Sequence, residues 1–306
     1  MFVKATMDRD AVEEALNTAF FKYKGTYFEA DYTSRKIIDD IEHMEIRDDD
    51  VFLVTYPKSG SVWSQQILSL IFNEGHRNGT EQIDNIDRVP WVEYNINNID
   101  FKSRPSPRLF SAHLPYYLMP RDLKYRMGKI LYVCRNPKDV LVSFYYFSQC
   151  NPKLKCSIDW ETFFEIFISG RVHGGSWFDH VRGWYTHKED FNILFMTYEE
   201  MKKDLRSAVK KICKFVGVNL DEKMIDTVVE KATFKKMKQD PVANYSFLPD
   251  DVLDKSKGVF LRKGIVGDWK NIMTVAQSEM IDQMYKEKMG DLPINFLWDL
   301  GEESAS

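Results

Sequence analysis

Three stretches of the chain carry side chains that could do chemistry on an anion. Residues 51–63, VFLVTYPKSGSVW, set Lys58, Ser59 and Gly60 between an apolar run and the start of a helical pattern. Backbone N–H groups at such a turn, the positive end of the following helix and a lysine ammonium together make an anion site. A plain strand–turn–helix link with an exposed lysine would share that local pattern. Residues 258–271, GVFLRKGIVGDWKN, place Arg262 and Lys263 directly before Gly264. A glycine there lets the backbone come close to a doubly charged phosphate monoester, beside two cations that can grip it. The third stretch ends in His113, which closes an apolar run and precedes Leu114-Pro115. An unperturbed imidazole, with a pKa of about 6.5, suits proton abstraction at neutral pH.

Several other chemistries do not fit. The nucleoside-triphosphate loop needs glycine before its lysine, as G-x-x-x-x-G-K-[ST], whereas Lys58 comes before Ser59 and Gly60. This order suits a cradle for one phosphate-sized group. The Gly264/Gly267 pair resembles the RNA-gripping GXXG loop, but the chain is net acidic and shows no further basic or aromatic stripe, so no nucleic-acid partner is expected. His173, His180 and His187 recur every seven residues; glycines at 174, 175 and 183 interrupt any continuous face, and no acidic partner joins them, so no metal is expected.

YPKSGSVW and RKGIVGDWKN together resemble the paired nucleotide-binding motifs of the cytosolic sulfotransferases. The intervening RLFSAHLP, CRNPKDVLVSFYYF and FMTYEEM resemble the same family in the same order, and the similarity runs from roughly residue 20 to residue 300. RDDDVFLVTYPKSG, EGHRN and RPSPRLFSAHLPYYL are most similar to the branch that sulfonates amines. The resemblance implies one α/β domain and a donor, 3′-phosphoadenosine 5′-phosphosulfate (PAPS), which leaves as 3′-phosphoadenosine 5′-phosphate (PAP). The acceptor would be a hydroxyl or amine of a small lipophilic phenol, alcohol, steroid or arylamine.

The resemblance also implies roles. Lys58 would meet the 5′-phosphate and stabilise the leaving oxygen, with Ser59, Gly60, Ser61 and Val62 forming the loop around it. Arg135, Ser143, Arg262, Lys263 and Gly264 would take the 3′-phosphate. Trp63 and Phe234 would sandwich the adenine, Tyr198 and Thr233 would hydrogen-bond its edge, and Phe260 and Leu261 would line the nucleotide wall. His113 would be the general base. A protein that only bound the nucleotide would have no use for that base. Phe147 is the first candidate for an apolar acceptor wall, followed by Phe20, Phe21, Trp91 and Tyr245. Lys270, Thr274, Val275 and Glu279 fit the family's K-x-x-x-T-V-x-x-x-E homodimer pattern, although an ordinary helix start capped by Thr274 would also use them.

Three positions depart from the family pattern. Ser111 stands where phenol-specific members carry lysine, Val62 where a donor-loop threonine is usual, and Ala232 where a hydroxyl residue commonly precedes Thr233. The last two changes each remove a hydroxyl from the neighbourhood of the donor.

These residues need elements to position them. Val51–Tyr56, Arg108–His113, Lys129–Arg135 and Asn192–Tyr198 are short apolar runs that read as buried strands. Helical patterns follow the first at Trp63, Ile67, Leu70 and Ile71, and the third at Asn136-Pro137. Glu199–Val216 reads as one long amphipathic helix closed by Gly217, and Thr274–Met289 as a last helix. Strands separated by helices predict a central parallel sheet covered on both faces, with a P-loop-like strand–loop–helix site at its carboxyl edge. No composition break divides the chain, so 1–306 reads as a single domain, with 1–20 and the tail 301–306 loosely ordered.

Composition agrees. The 306 residues carry 42 Lys+Arg against 46 Asp+Glu, a net charge of −4, which argues against a protein built to coat nucleic acid. Four cysteines without a CxxC pair read as reduced thiols. MFVKATMDRDAVEE meets charge too early for a signal peptide, and apolar runs such as Ile67–Phe72 fall short of the ~20 residues a membrane span needs. A cytoplasmic location is expected.

Overall fold

The computed structural model describes residues 9–72, 83–94, 99–152 and 158–300. Residues 1–8, the tail 301–306, EGHRN at 74–78 and Cys156 lie outside them. Where loose order was expected before residue 20, helix α1 (Arg9–Ala19) forms instead. Its apolar residues Val12, Leu16 and Ala19 lie on one face and are buried against the core.

A hairpin follows, β1 (Phe20–Tyr23) against β2 (Thr26–Glu29), turning through Lys24 and Gly25, both at positive φ. Helix α2 spans Arg35–Glu42. The main sheet comprises β3 (Val51–Thr55), β4 (Leu109–Ala112), β5 (Lys129–Cys134) and β6 (Ile193–Thr197), ordered β4-β3-β5-β6 and parallel throughout. Between and after the strands come α3 (Ser61–Ile71), α4 (Asn85–Arg88), α5 (Pro137–Gln149), α6 (Trp160–Ile168), α7 (Trp177–Thr186), α8 (Tyr198–Lys203), α9 (Leu205–Val216), α10 (Glu222–Lys231), α11 (Phe234–Gln239) and α12 (Val275–Met289).

Strand side chains alternate between two cores. Phe52, Val54, Phe110, Ala112, Ile130 and Tyr132 pack with α1, α5, α6 and α7. Val51, Leu53, Leu109, Leu131 and Val133 face the other way, onto α3, α9 and α10. Burial on both faces explains why the strands read as continuous apolar runs.

One predicted element is split. Asp204 leaves the helical region (φ −148°, ψ 84°) and its carboxylate accepts from Ser207 N, so 198–216 becomes α8 and α9. A short acidic side chain that can bond nearby backbone N–H groups favours a cap over a helix interior. Pro137 and Asn136 start α5 as expected, and Gly217 closes α9 in the left-handed region.

The chain leaves β3 for β4 on one side, then crosses back to β5 on the other. Ligands of open parallel sheets sit outside the carboxyl ends of the strands at such a reversal. Here the four ends deliver the Lys58 loop, His113, Arg135 and Tyr198 to one rim.

Candidate active site

Lys58 sits in the left-handed region (φ 67°) and Gly60 follows at φ 97°. A Cβ on Gly60 would stand 2.7 Å from the Tyr198 ring, so this position requires glycine. The Ser61 and Thr55 hydroxyls hydrogen-bond at 2.6 Å and tie the loop to β3. Ser59 is fully buried, and its hydroxyl has no partner among the described residues. The Lys58 ammonium lies 3.9 Å from the Phe147 ring centroid and 4.1 Å from that of Phe260. Burial lowers its pKa to about 7, with Arg135 and Arg262 acting in the same direction.

Arg135, Arg262 and Lys263 bring three more cations to the same cavity. Arg135 lies over the Tyr198 ring, 4.3 Å from its centroid, and donates to Ile265 O at 2.7 Å; its Nε is buried without a partner among the described residues. Arg262 and Lys263 both pair with Asp268, each at 2.6 Å. The loop that carries them is anchored by Asp139 on α5, whose carboxylate accepts from Gly267 N at 2.8 Å and Trp269 N at 3.1 Å. Gly264 (φ 65°) lies so close to Phe234 that an added Cβ would stand 2.3 Å from the ring. Orphaned polar atoms, two glycine cradles and a cluster of cations suit a ligand with phosphate groups.

Trp63, Phe234, Tyr198, Ser143, Phe260 and Leu261 line this cavity too. The Trp63 indole is fixed by a 2.7 Å bond to Ala232 O. That contact uses backbone, so the missing hydroxyl at residue 232 costs nothing there, and Ala232 itself packs in the core. Val62 packs with Trp91, Met237 and Tyr245 as an apolar contact. Thr233 is not brought to the cavity. Its hydroxyl caps α11 and donates to Glu230 O at 2.8 Å.

His113 occupies the carboxyl end of β4. Its Nδ1 lies 2.7 Å from Thr55 O and must donate to that carbonyl, which leaves the Nε2 lone pair free. Its backbone N–H donates to the Glu93 carboxyl at 2.5 Å, and the Trp91 ring lies 4.3 Å from the imidazole. Burial, then the neighbouring His173, holds His113 well below its ordinary pKa, so it is neutral at pH 7. Glu93 is pushed up to about 8 by burial. Ser111 is not among the residues lining the cavity; its hydroxyl accepts from Gln65 Nε2 (2.9 Å) and donates to Val89 O (3.1 Å).

Phe147, Trp91 and Tyr245 line the same cavity; Trp91 lies against His113, and Tyr245 OH accepts from Trp91 Nε1 (3.3 Å) and donates to Gln65 Oε1 (2.8 Å). Phe20 and Phe21 do not reach it. Phe20 borders a small adjoining cavity, and Phe21 stacks on Phe28. Sequence reasoning missed Glu29, Tyr32, Tyr94 and His173, which also line the cavity. His173, set aside as a metal ligand, has its ring 5.6 Å from His113, and Tyr94 OH bonds it. None of these carries a local signal. Asp139 and Asp268 had one, as acids inside NPKD and GDW.

At the proposed dimer pattern, Lys270 pairs with Asp299 and Thr274 caps α12 in a reciprocal box with Gln277. Val275 is 74% exposed, high for an apolar side chain, and Glu279 is exposed as well.

The sulfotransferase domain family matches residues 48–293. An amine sulfotransferase from Oryctolagus cuniculus is 55% identical over 286 residues, covering 93% of this chain and 95% of the relative. Sulfotransferase 2B1 from Rattus norvegicus is 42% identical over 296 residues, covering 96% and 87%. Among solved structures, mouse sulfotransferase SULT7A1 complexed with PAP superposes with a TM-score of 0.73 at 32% identity, covering 89% of this chain and 96% of that one.

Proposed function

This chain belongs to the sulfotransferase domain family and is a PAPS-dependent sulfotransferase, and from that premise we propose an acceptor class and residue roles. The acceptor is a hydroxyl or amine on a small lipophilic molecule, with amines first, a reading supported by the 55% identity to an amine sulfotransferase. One observation carries the roles: a neutral His113, its Nδ1 committed to Thr55 O, lines the same cavity as Lys58.

PAPS, when bound, supplies the sulfuryl group and a phosphate that departs with developing negative charge. Lys58, Ser59, Gly60 and Ser61 hold the 5′-phosphate. Lys58 would stabilise charge on the leaving oxygen, and a phosphate beside it would restore the charge that burial weakens. Arg135, Ser143, Arg262, Lys263 and the Gly264 backbone hold the 3′-phosphate, while Trp63 and Phe234 flank the base. His113 Nε2 takes the proton that the acceptor oxygen or nitrogen loses. Phe147, Trp91 and Tyr245 pack the acceptor body and exclude water. Incubation with PAPS and a panel of phenols, steroids and amines should yield PAP and sulfonated product. Absence of transfer to every acceptor would sink this reading.

We place the enzyme in the cytoplasm and assign Lys270, Thr274, Val275 and Glu279 to a homodimer contact. Among the described residues no helix is long and apolar enough to cross a membrane. Sedimentation should show dimers for the parent and monomers for Val275→Glu; dimers in both would remove the contact.

A further inference from the structure

The cavity wall contains a carboxyl group that the roles above leave unused. Glu29 ends β2, opposite Phe20 across the hairpin, and lines the main cavity with Tyr32, Tyr94, Phe147 and Leu248. It makes no side-chain hydrogen bond or ion pair with any described residue. The Tyr32 hydroxyl is buried and has no hydrogen-bond partner among the described residues. A carboxyl group that lines an apolar, aromatic cavity without a protein partner is expensive unless a ligand completes it.

We propose that Glu29 is the specificity-determining residue for a basic amine acceptor, taking charge and proton from the ammonium as it enters. This rests on the sulfotransferase reading and deepens it. Charged ammonium has no lone pair and cannot attack sulfur. In the pocket one N–H bond of R–NH3+ breaks and its proton joins the Glu29 carboxylate, giving the neutral amine and a neutral acid. The amine lone pair then forms the N–S bond as the S–O bond to the departing phosphate breaks, and the remaining surplus proton on nitrogen passes to His113 Nε2. The apolar wall favours this exchange, because it replaces two buried charges with two neutral groups. Burial, with Asp31 adding to it and Lys58 opposing it, raises Glu29 to about 7, well above an ordinary carboxyl, which makes it a stronger proton acceptor.

The test pairs benzylamine, cationic at pH 7, with para-cresol, a neutral molecule of similar size. In Glu29→Gln, the ratio of kcat/KM for the amine to that for the phenol should fall at least tenfold at pH 7. It should recover roughly tenfold per pH unit toward the amine's own pKa, because the variant must then capture free amine. Glu29→Asp should rescue part of the loss. If both acceptors decline together and the ratio holds, Glu29 only supports the hairpin and the proposal is overturned. A parent enzyme that sulfonates the phenol but neither binds nor sulfonates the amine overturns it too, while leaving the sulfotransferase reading intact. Should the parent transfer to neither, that reading fails, and calorimetry of benzylamine with parent and Glu29→Gln in the presence of PAP still decides the proposal. Equal affinity refutes it; at least tenfold weaker binding by the variant supports it.

Discussion

At the donor end of the cavity the cations are held by loops whose backbone is itself fixed. Lys58 and Gly60 take left-handed angles, Asp139 receives two N–H groups of the 264–269 loop, and Asp268 pairs with both Arg262 and Lys263. At the acceptor end the walls are side chains from separate segments: Glu29, Trp91, Tyr94, Phe147, His173 and Tyr245. The donor end recognises a fixed, highly charged group and gains from rigid positive charge. The acceptor end meets molecules of varied shape and gains from apolar contact with few polar contacts. His113 stands at the boundary, tied to β3 through Thr55 and packed at a tilt against Trp91.

That boundary position gives the largest expected effect. His113→Ala should lower kcat by on the order of 10²–10⁴, the usual contribution of a general base, while calorimetric PAP affinity stays near the parent's. Equal turnover in variant and parent would remove His113 from the mechanism. The pH profile adds a second reading. A depressed imidazole pKa keeps Nε2 unprotonated as pH falls, so kcat with para-cresol should hold from pH 7.5 to 6, with its acid limb lower still. An ordinary histidine would have lost about three-quarters of its basic form by pH 6. An acid limb centred near 6.5 would contradict the buried, neutral state.

The two ends differ equally in how far the sequence discloses them. Lys58-Ser59-Gly60 and Arg262-Lys263-Gly264 are contiguous, and each glycine is demanded by a ring an ångström-scale gap away, Tyr198 and Phe234. Local chemistry of that kind stays visible in a linear string, as do the four strands, whose burial on both faces leaves unbroken apolar runs. Glu29 is different. In TYFE the alternation of the hairpin sends Phe28 to the core and Glu29 the other way, but only the fold reveals that this other side is the cavity. His173 lies sixty residues from His113 and meets it only once α7 and β4 are packed. Thr233 is not among the residues that line the cavity, and its hydroxyl serves locally as the cap of α11. The split at Asp204 has the same cause, a capping side chain inside a sound amphipathic period.

A donor-end substitution should be felt differently from one at the boundary. Arg262→Ala deletes a charged donor that stacks on Tyr146 and pairs with the nearly buried Asp268. Losing a hydrogen bond to a charged group costs about 1.5–3 kcal/mol, so PAP affinity should weaken roughly ten- to a hundredfold by calorimetry, with acceptor KM at saturating donor moving far less. The neighbouring Lys263 pairs with the same aspartate, but its side chain is 45% exposed against 26% for Arg262. Water and salt screen that ammonium, so Lys263→Ala should cost no more than about fivefold, with a visible dependence on ionic strength. If the two substitutions prove equal, burial is not what ranks them, and the 3′-phosphate contact would have to be shared evenly between the two cations. If instead either one moves acceptor KM as much as donor affinity, the two ends of the cavity are coupled through the Asp268 loop rather than built as separate recognition surfaces.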